Sequence, residues 1–333
     1  MKPTDFAYYL SHFLTTYMAG QRNLSINTIQ SYRDTFSLLL KYFSGAKGIS
    51  PEKISIGTVT KESVEEFLMW LESDRGCSVS TRNQRLAAIH AFFRFLQCEK
   101  PEHMHHSQRI LSLTMKKTPK KPPVYLSSDE MGLLLSMPDM NTVNGRRDAT
   151  MLSLLYDSGA RVQELADLTP RNVRLEKPCH VTLTGKGRKT RQVPIMSQTA
   201  ALLASYIKEQ KIDTADKLDH PLFFNCWNKK LTRQGIAYII KKYAEGIITN
   251  DNISAHVFRH SKAMSLTHAD VNPIYIRDIL GHADLKTTGV YSKSSLEMKR
   301  RALEKVEEKS IPDAPDWTSD SGLMDFLKNL SKQ

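Results

Sequence analysis

HVTLTGKGRKTRQVPI, residues His180 to Ile195, is the one stretch of this chain that reads convincingly as β-structure. Val181 and Leu183 alternate with polar residues, Val193 and Ile195 do likewise, and GKGRK supplies the turn between the two strands. The segments around it space their apolar residues at helical intervals instead. The expectation is a mainly α protein with a small antiparallel β-sheet. Lys186 sits in the glycine-flanked turn, where it could reach a substrate or simply meet water. The turn is not a P-loop, because G-x-x-x-x-G-K-[ST] is absent.

On the N-terminal side of the hairpin, Ser127-Ser128-Asp129-Glu130 forms a capping box that opens a helix. A further helix over Arg146 to Leu155 runs into YDSGARVQELADL, where Gly159 permits a turn and Val162, Leu165 and Leu168 begin a new apolar stripe. Arg161 falls at the start of that next helix, beside free backbone N–H groups, which is a favourable place for an anion. Glu164, one turn later, can hold the guanidinium. The same two residues would equally make a plain surface ion pair.

On the C-terminal side, Leu231 to Tyr243 is amphipathic through Ile236, Ile239, Ile240 and Tyr243. NISAHVFRHSKAM then brings His256, Arg259 and His260 within about one helical turn of each other. His256 and His260 are spaced as in a zinc protease, but Val257 replaces the glutamate that H-E-x-x-H chemistry needs. His256 and Arg259 share a face, which suits a joint grip on one phosphate. YIRDILGHADLKTTGVY, from Tyr275 to Tyr291, follows with an apolar helical run, a Gly281-His282 break and a tyrosine nine residues beyond the histidine. A phenol oxygen can attack phosphorus or carbonyl centres once deprotonated, and its ordinary pKa of about 10 demands cationic neighbours at neutral pH.

The first hundred residues read as about four helices. One follows Ser25 and runs to Phe43; one follows Thr60 with Val64, Phe67, Leu68 and Leu71 on a stripe; one follows Ser80 with Leu86, Ile89, Phe93 and Leu96. Their other faces mix basic and hydroxyl groups, Thr28, Ser31, Tyr32 and Arg33 on one helix and Thr81, Arg82, Asn83 and Arg85 on another. Such groups suit phosphate oxygens, or a solvated face. Glu102, His103, His105 and His106 lack ordered metal-ligand spacing and read as a loop, so no metal site is expected. The segment from Gln108 to Pro123 is rich in lysine and proline, with Lys116, Lys117, Lys120 and Lys121 able to track a phosphate backbone. The domain boundaries expected are residues 1–107, a linker at 108–123, a second domain at 124–310 and a tail at 311–333.

Composition limits the partners. The 333 residues carry a net charge of +12, which favours a polyanion. No apolar run approaches membrane-spanning length, and the four cysteines show no C-x-x-C pair. A cytoplasmic protein with reduced thiols is expected.

Taken in order, Gly159-Ala160-Arg161, Lys186, His256-Val257-Phe258-Arg259-His260, Leu280-Gly281-His282 and Tyr291 resemble the tyrosine recombinase (integrase) family, from residue 5 to about 308. The resemblance implies a helical, SAM-like core-binding domain followed by an α+β catalytic domain. It implies that Arg161 and Arg259 bind the scissile phosphate and that His256 and His282 complete its hydrogen bonds. Tyr291 would be the nucleophile, forming a 3′-phosphotyrosyl link, with Lys186 the general acid and Glu164 the supporting carboxylate. No cofactor is implied. The partners implied are double-stranded DNA with inverted-repeat core sites and three further copies of the chain in a tetramer. Phe258 and Ala269 depart from residues common in the family, both at packing positions. The wording of HVFRHSKAM and YIRDILGH suggests a transposon-borne integrase or transposase. An Xer-type resolvase, a type IB topoisomerase and a catalytically silent DNA-binding regulator are the alternatives. In the tail, Leu323, Phe326, Leu327 and Leu330 form a short apolar stripe beyond Pro312 and Pro315. It is expected to dock on a neighbouring subunit in trans, with docking in cis the alternative.

Overall fold

The computed structural model describes residues 3–118, 123–185, 187, 189–245 and 253–281, with positions 322, 325 and 329 of the tail. It divides into two compact units, Met1–Lys120 and Lys121–Gln333.

The first unit is helical. Helix α1 (Asp5–His12) passes into a π-helical stretch over Phe13–Gln21. Helices α2 (Ile26–Ala46), α3 (Lys61–Ser73), α4 (Val79–Glu99) and α5 (Met104–Leu111) follow. Hydroxyl side chains start three of them: Ser25 Oγ accepts from Thr28 N at 3.3 Å, Thr60 Oγ1 from Ser63 N at 3.2 Å and Ser78 Oγ from Thr81 N at 3.3 Å. Helix α4 therefore begins two residues before the Ser80 start expected, because Ser78 offers an equally good cap and adds half a turn.

Helix α4 is the hub of this unit and is buried on more than one face. Leu86, Ile89, Phe93 and Leu96 are in the core as expected, joined by Ala88, His90, Phe92 and Phe95. The ring of Phe92 packs edge-on against Phe6, Phe13 and Phe36 at centroid distances of 5.6, 5.5 and 5.3 Å. The histidine-rich segment expected as a loop is a 3-10 turn leading into α5. His106 Nε2 lies 3.0 Å from the Val59 carbonyl, and Ile110 and Leu113 are buried in the same core.

The second unit opens with α6 (Ser128–Ser136), where Ser127 Oγ accepts from Glu130 N at 3.2 Å and Glu130 Oε2 accepts from Ser127 N at 2.7 Å. Helix α7 (Val143–Ser158) runs through the core, with Met151, Leu152, Leu154 and Leu155 fully buried, and stops at Gly159 in the left-handed region. Helix α8 (Val162–Ala166) precedes a three-stranded antiparallel sheet of β1 (Val173–Arg174), β2 (His180–Thr184) and β3 (Thr190–Pro194), ordered β1-β2-β3. The hairpin register pairs Val181 with Val193 and Leu183 with Arg191. Val181, Leu183 and Val193 fill the core. Helices α9 (Ser197–Glu209), α10 (Arg233–Ala244), α11 (Ala255–His268) and α12 (Pro273–Leu280) follow among the described residues, α7 packing against α9 and α11. The strand β1 was not expected: two residues are too few for alternation to show.

Candidate active site

Four separate segments of the second unit meet at one place. The first is the turn after α7. Arg161 caps α8 in an extended conformation, and its backbone N–H donates to Glu164 Oε2 at 2.9 Å while Nη1 donates to Oε1 at 2.7 Å. The second is the hairpin. Arg191, on β3, reaches the same carboxylate through Nη1 at 3.0 Å and Nη2 at 2.7 Å. Glu164 is thus a buried carboxylate held between two guanidiniums. Burial alone would raise its pKa, but the hydrogen bonds from Arg191 and Arg161 outweigh it and hold the group below the ordinary carboxylate range.

The third segment is α11, which carries Arg259. Only 4% exposed, it donates from Nη1 to the Gly159 carbonyl at 2.7 Å and from Nη2 to the Leu280 carbonyl. The fourth is the end of α12, whose unpaired carbonyls collect the cations. Ile279 O accepts from Arg191 Nε at 2.9 Å, Leu280 O from Arg259, and Gly281 O from Arg161 Nη2 at 3.0 Å. Three consecutive carbonyls are met by three arginines from three other elements.

Two glycines let the backbones come this close. A Cβ at Gly185, on the threshold of the hairpin turn, would lie 3.0 Å from Glu164 Oε1 and 3.6 Å from Arg161 Nη1. Gly281 ends α12 at φ +63°, and a Cβ there would lie 2.9 Å from Arg191 Nη1. The cluster holds three guanidiniums against one carboxylate, and the Arg161 side chain is 38% exposed. An accessible guanidinium in a net-positive cluster is a site for an anion such as phosphate.

His256 lies on the exposed part of α11, one turn before Arg259, and His260 is half-buried. Burial, with the charges of His256 and Arg259, lowers the His260 pKa. Behind the cluster, Asp157 accepts from Met196 N at 2.6 Å and from Lys262 Nζ at 3.1 Å, pinning the end of the hairpin to α7 and α11. Lys186, His282 and Tyr291 lie outside the described residues, as do Lys120, Lys121 and the apolar stripe of the tail.

The first unit distributes its expected phosphate-binding groups unevenly. Arg33 is exposed beside Asp34, Lys117 is exposed, and Thr28 and Tyr32 are half-buried, Tyr32 stacked 6.2 Å from Phe13. Arg82 and Arg85 are turned into the fold instead of outward. Arg82 Nη1 donates to Thr114 O at 3.2 Å, and Arg85 Nη1 donates to Ser31 O at 3.0 Å and Thr35 Oγ1 at 3.1 Å. Helical spacing explains this, since residues 82, 86, 89 and 93 lie on one stripe and Arg85 sits four residues before Ile89.

Comparison with known proteins gives the family. The chain belongs to the phage integrase family: residues 124–298 match the phage integrase family and residues 12–100 match the phage integrase N-terminal SAM-like domain. That membership makes it a tyrosine-type site-specific recombinase. It is 32% identical over 336 residues to y4rC of Sinorhizobium fredii, described as an integrase/recombinase, covering 99% of both chains. It is 29% identical to tyrosine recombinase XerC of Pelotomaculum thermopropionicum, over 92% of this chain and 98% of that one. It is 33% identical to tyrosine recombinase XerD of Staphylococcus epidermidis, over 83% and 90%. Among solved structures, the XerH site-specific recombinase bound to difH matches with a TM-score of 0.66 at 23% identity, covering 86% of this chain and 81% of that one. The Tn1549 transposon integrase with transposon right end DNA matches at 0.68 and 19% identity, covering 91% and 99%. Both share the fold.

Proposed function

We propose that this recombinase moves a mobile genetic element, cutting and rejoining inverted-repeat DNA sites through a covalent link to Tyr291. The observation that carries the site assignment is the convergence of Arg161 and Arg259 on the carbonyls immediately before His282. In this reading Arg161 and Arg259 grip the scissile phosphate, and His256 and His282 complete its hydrogen bonds. The Tyr291 oxygen attacks phosphorus, the bond to the 5′-oxygen breaks, and Lys186 donates its proton to that oxygen. The guanidiniums offset charge as the pentavalent phosphorane forms and favour the phenolate beforehand. Rejoining reverses the step with a new 5′-hydroxyl, so the phosphodiester energy is retained in the tyrosyl link.

Thr28, Tyr32, Arg33 and Lys117, with Lys120 and Lys121 from the linker, would track the DNA backbone, while Arg82 and Arg85 brace the helices of the first unit from within. A tetramer on two duplexes, acting in the cytoplasm, completes the proposal. The test is exchange between two plasmid copies of the inverted repeats that flank the gene. Recombinant junctions within those repeats support the reading. Relaxation of any supercoiled plasmid without exchange would point to topoisomerase chemistry instead.

A further inference from the structure

Arg191 has no part in the phosphate grip proposed above, yet its placement is costly. Its side chain is 13% exposed and lies on the inward register of β3, two residues before the core residue Val193. An aliphatic residue there would bury without desolvating a charge, and a buried ion pair is a weak way to gain stability. Each nitrogen of the guanidinium is nevertheless used: Nη1 and Nη2 on Glu164, and Nε on the Ile279 carbonyl. Only a planar fork can make that set at once.

The two segments it joins are the ones that deliver Lys186 and His282. Arg191 pairs with Leu183 in the hairpin, and Gly185 N donates to Lys189 O at 2.8 Å beyond the strand ends. On the other side, the Ile279 carbonyl lies three residues before His282. Gly281 leaves room for the guanidinium, since a Cβ there would lie 2.9 Å from Nη1 and 3.0 Å from Cζ. We infer that Arg191 is a positioning residue: with Glu164 it locks the hairpin to the end of α12, the two segments that lead in sequence to Lys186 and His282. This rests on the recombinase reading of the site.

The test uses full-length protein and single-turnover cleavage of a suicide DNA substrate. Arg191→Lys keeps the charge without the fork, Arg191→Ala removes both, and Gly281→Ala displaces the guanidinium from the opposite side. DNA affinity is expected to stay near the parental value while cleavage falls roughly 100-fold, the scale of a small misplacement of catalytic groups. Added methylguanidinium is expected to restore cleavage by Arg191→Ala but not by Gly281→Ala. A 5′-bridging sulfur substrate, which needs no proton from Lys186, is expected to recover part of the loss in all three. If Arg191→Ala does not fold, Arg191→Lys and Gly281→Ala carry the test. Parental cleavage rates in Arg191→Lys, or DNA affinity falling in step with cleavage in every variant, would overturn the positioning role. Absence of any covalent product from the parental protein would instead contradict the recombinase reading.

Discussion

Arg259 Nη1 donates to the carbonyl oxygen of Gly159 at 2.7 Å, so the arginine of α11 holds the turn that presents Arg161. The two phosphate-binding candidates are therefore not independent. Arg259 reaches the α7–α8 turn through one nitrogen and the end of α12 through the other. Gly159 itself sits at φ +57°, where a Cβ would lie 2.6 Å from Leu280 Cδ2, so the turn and α12 are in direct contact.

Arg259→Ala should lose both structure and chemistry. The Gly159 and Leu280 carbonyls would each lose a buried donor, at about 1–3 kcal/mol per orphaned group. Denaturant melts should show that loss, and cleavage should vanish. Arg259→Lys should recover part of the stability without the cleavage, because an ammonium cannot bridge two carbonyls as a fork does. Full cleavage by Arg259→Lys would contradict this account.

Lys186→Ala should cripple cleavage of ordinary DNA and cleave DNA with a 5′-bridging sulfur far better. A thiolate leaves without a proton, which makes the general acid dispensable. Equal impairment on both substrates would remove Lys186 from that role and turn attention to Arg188 and Lys189.

A chain ending at Ser310 should bind a single site normally and fail to assemble active synapses. The motive is the apolar stripe of Leu323, Phe326, Leu327 and Leu330, too short to be stable alone in water. A neighbouring subunit is the surface proposed for it. Recombination of two sites at the full-length rate by the shortened chain would rule out that docking.

Mild acid should destabilise the first unit through His90. Its ring is 5% exposed and Nε2 donates to the Ile110 carbonyl at 3.2 Å. Burial, helped by the charges of Arg94 and Arg82, lowers its pKa from the ordinary 6.5. Below that value the unfolded chain takes up a proton that the folded chain refuses, so stability falls as pH drops toward the folded-state pKa. His90→Gln keeps a donor for Ile110 and should flatten the dependence. Melts at several pH values, followed by hydrogen exchange in α4, would show it. An unchanged slope in the variant would assign the effect elsewhere.

Much of this architecture is legible in the sequence because local rules and the fold agree. Ser25, Thr60 and Ser127 cap helices where their side chains say they should, and Val181, Leu183 and Val193 face inward as alternation requires. Arg161 and Glu164 also pair as their spacing suggests. What escapes the sequence is what depends on distant partners. Arg191 occupies an inward strand position, and a charge there is a signal, but its partners Glu164 and Ile279 are 27 and 88 residues away. Arg82 and Arg85 look like solvent-facing cations until the bonds to Thr114 and Ser31 turn them inward. His106 looks like a loop residue until Val59 supplies its acceptor.

Tyr291 is proposed as the nucleophile of a phosphate site built by Arg161 and Arg259. The most direct measurement is covalent trapping: suicide DNA substrate, parental chain and Tyr291→Phe, resolved under denaturing conditions. The substitution removes only the phenol oxygen and leaves the cations in place. A covalent protein–DNA adduct is expected with the parental chain, none with Tyr291→Phe, and undiminished DNA binding by both. An adduct that persists in Tyr291→Phe would contradict it and make another residue, such as Tyr275 on α12, the nucleophile.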